Sequence, residues 1–94
     1  MTKLWVDDIR LAPDDSWAVA INSEIAINIL ISHKVLNIPL DVMSLDHDLG
    51  GDDTSRRIVL WCCEENWWPE EVRVHSANPV GVEWLEGMIE RYKT

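Results

Sequence analysis

Asp46, His47 and Asp48 stand together in the stretch Ser44-Leu45-Asp46-His47-Asp48-Leu49-Gly50-Gly51. A carboxylate–imidazole–carboxylate run can hold a cation and move protons near neutral pH. It follows the apolar run Val42-Met43-Ser44-Leu45 and ends on a glycine pair. An apolar run of that length reads as a buried strand, and Gly-Gly marks a turn. The cluster therefore falls at the carboxyl end of a strand, the edge where open α/β sheets bind ligands. Charges gathered there repel and lose hydration unless a cation or hydrogen-bond partners compensate. The expectation is a metal-assisted site for a phosphorylated ligand.

Two other segments end in residues of the same kind. Asp7-Asp8 follows Lys3–Val6, and His75-Ser76-Ala77-Asn78 follows Glu71–Val74. Carboxylate oxygens of Asp7, Asp8, Asp46 and Asp48 suit a hard divalent cation, Mg²⁺ or Mn²⁺. His47 and His75 read as general acid and base, as ligands for Zn²⁺ or Fe²⁺, or as structural histidines bonding loop carbonyls. His33, on a helix without polar company, reads as structural. Ser76 and Asn78 precede a helix start, where N–H groups and the helix dipole favour an anion, and Asn78 also suits a cap. Arg10 is a candidate phosphate clamp. A single Asp after a strand is a turn residue by default, and Asp14, Asp15, Asp52 and Asp53 are read as solvated loop charges. Two acidic pairs at two strand ends are what point to metal or phosphate chemistry.

The elements that would carry these residues alternate. Lys3–Val6 reads as a strand, residues 9–16 as a loop, and Trp17–Ile21 as a weaker strand whose parallel pairing would ordinarily need a helical crossover. Asn22 or Ser23 caps a helix reaching Lys34, with Leu36 to Pro39 as its exit loop. Asp41–Asp46 is the central strand, and Thr54 or Ser55 caps a helix to about Asn66. The Trp67-Trp68 pair plugs the core at that helix's end. Glu71–Val74 is the fourth strand, and Asn78-Pro79 opens the last helix. Alternation of this kind predicts a mostly parallel sheet with helices on both faces, its strand ends converging on one edge.

Composition narrows the function. A chain of 94 residues is expected to form one domain over 1–94 with a single core. It has six Trp and no Phe, so indoles supply much of the core bulk. A net charge of -9 argues against generic nucleic-acid or anionic-membrane binding, though a polyanionic ligand can still bind through a divalent cation. Cys62 and Cys63 have neither metal nor redox spacing and read as reduced thiols. With no membrane-length apolar run and no signal pattern, a cytoplasmic location is expected.

Three blocks resemble the cyclic-phosphate-processing receiver-like domains: Leu4-Trp5-Val6-Asp7-Asp8-Ile9-Arg10, Ser44-Leu45-Asp46-His47-Asp48-Leu49-Gly50 and Val74-His75-Ser76-Ala77-Asn78-Pro79-Val80-Gly81. The likeness runs from about Leu4 to Met88. It implies a shortened flavodoxin/receiver-like α/β fold of about four parallel strands and three helices. In response-regulator receivers an acidic pair and a third Asp bind Mg²⁺, and the third Asp accepts a phosphoryl group. Asp7, Asp8 and Asp46 resemble that trio by position, and Ser76 resembles the hydroxyl residue after the fourth strand. No segment remains for the strand that carries the receiver lysine, and His47 and His75 are additions; both departures favour hydrolysis over phosphoryl signalling. A glycine common in relatives is missing from Thr54-Ser55-Arg56-Arg57. The expected function is a metal-dependent phosphodiesterase acting on a cyclic phosphate of a nucleotide, an RNA end or an ADP-ribose derivative. Its catalytic residues would be Asp46, His47 and His75, with Arg10, Ser76 and Asn78 on the phosphate. The alternative is a non-catalytic module binding a cyclic nucleotide or a protein partner. A phospho-accepting receiver ranks last.

Overall fold

A computed structural model describes residues 2–93. Its strands are β1 (Lys3–Val6), β2 (Trp17–Ala20), β3 (Val42–Leu45) and β4 (Glu71–Val74). They form one sheet in the order β2-β1-β3-β4 with every pairing parallel. This is the strand order of a flavodoxin-like sheet up to its fourth strand. The helices are α1 (Ser23–Leu36), α2 (Arg56–Glu65) and α3 (Pro79–Tyr92).

Local chemistry explains where the helices begin and end. Asn22 Oδ1 accepts the Ile25 N–H at 2.8 Å, and Asn78 Oδ1 accepts the Gly81 N–H at 3.1 Å, with Pro79 opening α3. Asn37 and Asn66 close α1 and α2 in the left-handed conformation that asparagine tolerates. Ser55 occupies the cap position of α2, yet its hydroxyl caps nothing and is buried without a partner.

Alternation along each strand sorts the side chains. Leu4, Val6, Met43 and Leu45 join Ala26 and Leu30 of α1, Ile58, Val59 and Cys62 of α2, and Leu85 of α3 in one buried cluster. Right-handed crossovers that advance in one direction lie on one face of a sheet, and β2-α1-β3-α2-β4 advances throughout. The expectation of helices on both faces is thereby corrected to a single helical layer. The second face carries Trp5, Val19, Ser44 and Arg73 on one rung. Its cover comes from side chains and from the irregular connection between β1 and β2. Trp5 packs edge-on to Trp17, with centroids 5.6 Å apart, and its Nε1 donates to the Arg10 carbonyl at 3.0 Å. That connection replaces the helical crossover expected before β2.

The loop from Asp48 to Ser55 is tied as well. Gly50 and Gly51 adopt φ of 91° and 56°, and Ser55 N donates to the His47 carbonyl. Asp53, read as a solvated loop charge, accepts instead from the Ser23 N–H at 2.8 Å and its hydroxyl at 2.6 Å. This bond joins the loop to the start of α1. No helix is long and apolar enough to cross a membrane, among the described residues.

Candidate functional site

The chain leaves β1 toward β2 on one side and returns to β3 on the other, so the crevice past β1 and β3 is the switch point where such sheets bind ligands. Each strand's extended backbone continues one residue further: Asp7, Asp46 and His75 each donate a backbone N–H to the neighbouring strand. By alternation these three share the face of Trp5 and Ser44. Asp7, Asp8 and Asp46 each offer an oxygen, all within 4.8 Å of one another.

The surroundings of the three carboxylates differ. Asp7 is buried; its Oδ1 accepts from the Ile9 and Arg10 N–H groups at 2.8 and 2.9 Å, and its Oδ2 lies 3.0 Å from His75 Nε2. Burial pushes the Asp7 carboxyl up, but those donors together outweigh it and hold the group below the usual carboxylate range. Asp46 Oδ1 accepts the His47 N–H at 2.9 Å. Asp8 Oδ1 is buried with no partner. A side chain on Gly50 would place its Cβ 3.2 Å from Asp8 Oδ2, so the turn closes tightly over that carboxylate. Among the described residues, neither Asp8 nor Asp46 has an ion-pair partner. Clustered oxygens without a paired cation, one buried and unbonded, fit the demand of a hard divalent ion.

His75 is held on every side. Because an ionised Asp7 can only accept, His75 Nε2 carries a proton toward it, and Nδ1 lies within hydrogen-bond reach of Ser44 Oγ at 2.7 Å. The indole of Trp5 stacks on the imidazole, with centroids 3.8 Å apart and planes within 7°. Arg10 donates from Nη1 to the His75 carbonyl at 2.8 Å, which brings the expected phosphate clamp beside the acidic trio.

The remaining candidates form a second chain of contacts. His47 follows Asp46 and so faces the helical layer. Its Nδ1 lies 3.0 Å from Asp48 Oδ1, and its Nε2 accepts from Arg56 Nε at 2.9 Å. Asp48 Oδ2 accepts from Asn78 Nδ2 at 3.1 Å, and Ser76 Oγ accepts the Asn78 N–H. The Asn78 amide, then His47, hold the Asp48 carboxyl below its ordinary range. Of the four carboxylates expected to share a cation, the structure brings Asp7, Asp8 and Asp46 together and engages Asp48 elsewhere. The two histidines likewise part: His75 sits against the trio, while His47 packs on α3. His33, as a structural histidine should, places Nδ1 2.9 Å from the Ile38 carbonyl.

The family model of the cyclic-phosphate processing receiver domain matches residues 2–91, nearly the whole chain. The chain belongs to that family. Comparison with curated proteins and with solved structures finds no match. Sequence reasoning about this receiver domain missed Ser44, Trp5 and Arg56, each of which fixes a histidine. For Ser44 a signal existed: a hydroxyl in an apolar buried strand needs a partner, and alternation aims it at the face of Asp46. Trp5 finds His75 far along the chain, and Arg56 reaches back to His47 across the glycine turn, pairings that no local periodicity encodes.

Proposed function

We propose that this receiver domain is a metal-dependent phosphodiesterase that opens a cyclic phosphate on a nucleotide, an RNA end or an ADP-ribose derivative. The reading is carried by the clustered carboxylates of Asp7, Asp8 and Asp46, the last two without an ion-pair partner among the described residues and Asp8 with a buried, unbonded oxygen. These residues would hold the cation, with Mg²⁺ or Mn²⁺ suiting an all-oxygen set. When bound, such an ion polarises a phosphoryl oxygen and lowers the pKa of a coordinated water.

The chain's own groups do the rest. Asp7 is locked by two backbone donors and His75, so its oxygens are placed before any ligand arrives. His75 presents its Nε2 proton at the same carboxylate and remains 17% exposed, which suits it to pass a proton to a leaving oxygen. Arg10 stands beside it for a phosphate oxygen. Ser76 and Asn78 shape the turn before α3, whose N-terminus favours an anion. His47 acts at a distance: it positions Asp48 and Arg56 and so fixes the loop that follows Asp46.

Incubation with 2′,3′-cyclic nucleotides and a 1″,2″-cyclic ADP-ribose phosphate, each with Mg²⁺, Mn²⁺ or Zn²⁺, tests the proposal. Turnover is expected with at least one pair, abolished by chelator and reduced roughly 100-fold in Asp8→Asn and Asp46→Ala. No turnover with any pair overturns it, as does turnover indifferent to Asp46→Ala and His75→Ala. Ligand bound and recovered intact would identify a binding module instead.

A further inference from the structure

From the start of α3, a cleft of about 550 Å³ runs along that helix. Val80, Glu83, Trp84, Met88 and Arg91 line it, with Arg56 from the start of α2. The chain has 8 Lys and Arg against 17 acidic residues, yet two arginines share this cleft. Among the described residues neither has an ion-pair partner. Arg56 is half-buried and pinned: its Nε donates to His47 Nε2 at 2.9 Å, and its guanidinium carbon lies 4.8 Å from the Trp84 ring centroid. A guanidinium fixed over an indole offers a planar, cationic surface on which a flat heterocycle can stack.

The rest of the lining complements such a ligand. Val80, Trp84 and Met88 give apolar contact to a ring body. Glu83 supplies an acceptor for an exocyclic amine or a sugar hydroxyl. Arg91 follows Trp84 by two helical turns on the same side of α3, about 10 Å along the axis. That separation is comparable with the reach from base to phosphate in a nucleoside 5′-phosphate, and an unpaired guanidinium is a strong phosphate donor.

We propose that this cleft is a binding site for a nucleoside phosphate, its base on the Arg56–Trp84 surface and its phosphate at Arg91. The site is separate from the acidic trio and does not depend on chemistry there. His47, bonded to both Arg56 and Asp48, is the physical link between the two.

Titration of AMP into the ¹⁵N-labelled full chain without metal tests this. Saturable shifts are expected at Val80–Arg91 amides, the Trp84 indole and Arg56 Nε, with adenosine and inorganic phosphate each binding at least about tenfold more weakly. Arg91→Gln should weaken AMP about tenfold and leave adenosine unaffected. Arg56→Lys, which keeps the charge and loses the plane, should weaken both. Shifts confined to Asp7, Asp8, Asp46 and His75, or no saturation at millimolar AMP, overturn the proposal. Should Arg56→Lys disturb folding, seen as a collapsed amide spectrum, the exposed Arg91→Gln variant decides alone. Turnover is not a readout here, so failure of the phosphodiesterase reading and failure of this one are told apart.

Discussion

Ser44 Oγ reaches His75 from inside a strand whose other members are apolar, and its hydroxyl is the partner of Nδ1 on that ring. Ser44→Ala leaves Nδ1 without its partner beside a buried strand. The expected cost is about 1–2 kcal/mol in urea unfolding. More tellingly, the ¹⁵N shift of His75 Nδ1 should move when its hydroxyl partner is lost, while those of His33 stay put. A ring unchanged in Ser44→Ala would mean that Asp7 and the Trp5 stack suffice to hold it. The thiols give a second residue-scale prediction. Burial pushes the Cys62 thiol up to about 12 and raises that of Cys63 as well. The nucleophile is the thiolate, so at pH 8 a disulfide reagent should label neither within minutes in the folded chain and both in urea. Rapid native labelling would show that α2 opens locally.

At the scale of the element, α3 separates two glycines that look alike in sequence. A Cβ at Gly81 would lie 2.3 Å from His47 Cγ, whereas at Gly87 it would meet nothing within 4 Å. Helix propensity favours alanine at both by about 1 kcal/mol. Gly87→Ala should therefore raise stability by about 0.5–1 kcal/mol, and Gly81→Ala should lower it by about 2–3 kcal/mol through overpacking. Equal melting shifts would deny that His47 is clamped against α3. The elements themselves were legible where one signal dominated. Lys3–Val6, Glu71–Val74 and the Asn78-Pro79 helix start stand where alternation, turn residues and capping put them. The β1–β2 connection was not legible, because what replaces a helix there is an indole bonded to a carbonyl and a guanidinium reaching across to β4. Loss of that crossover helix also explains why one face of the sheet has no helical layer. For the site, parallel strands made the convergence of Asp7, Asp46 and His75 foreseeable. The parting of His47 from His75 was foreseeable too, since neighbours on extended chain point to opposite faces. Asp48 lies past the strand in a glycine turn, and its partners there depend on where α3 begins.

At the scale of the whole molecule, an acidic chain of net charge -9 concentrates three carboxylates at one point without a paired cation for two of them. Mutual repulsion at that point opposes folding, and it is unequal in its remedies. Neutralising one carboxylate relieves it permanently; binding a divalent ion relieves it reversibly. In metal-free buffer Asp8→Asn should thus raise stability, on the order of 1 kcal/mol for a partly solvated pair at this separation. In the unaltered chain Mg²⁺ or Mn²⁺ at a hundred times its dissociation constant should add about 2.7 kcal/mol, as expected for a ligand of the folded state alone. The variant, having lost an oxygen charge, should gain little from the ion. Thermal melts at fixed ionic strength measure all of these, with NaCl standing in for the divalent salt as the control for screening. If NaCl reproduces the shift, or if Asp8→Asn keeps the full response, the trio is an acidic surface rather than a cation site. A response confined to the divalent ion and removed with Asp8 would tie the switch point of this sheet to metal chemistry by stability alone, before any substrate is in hand.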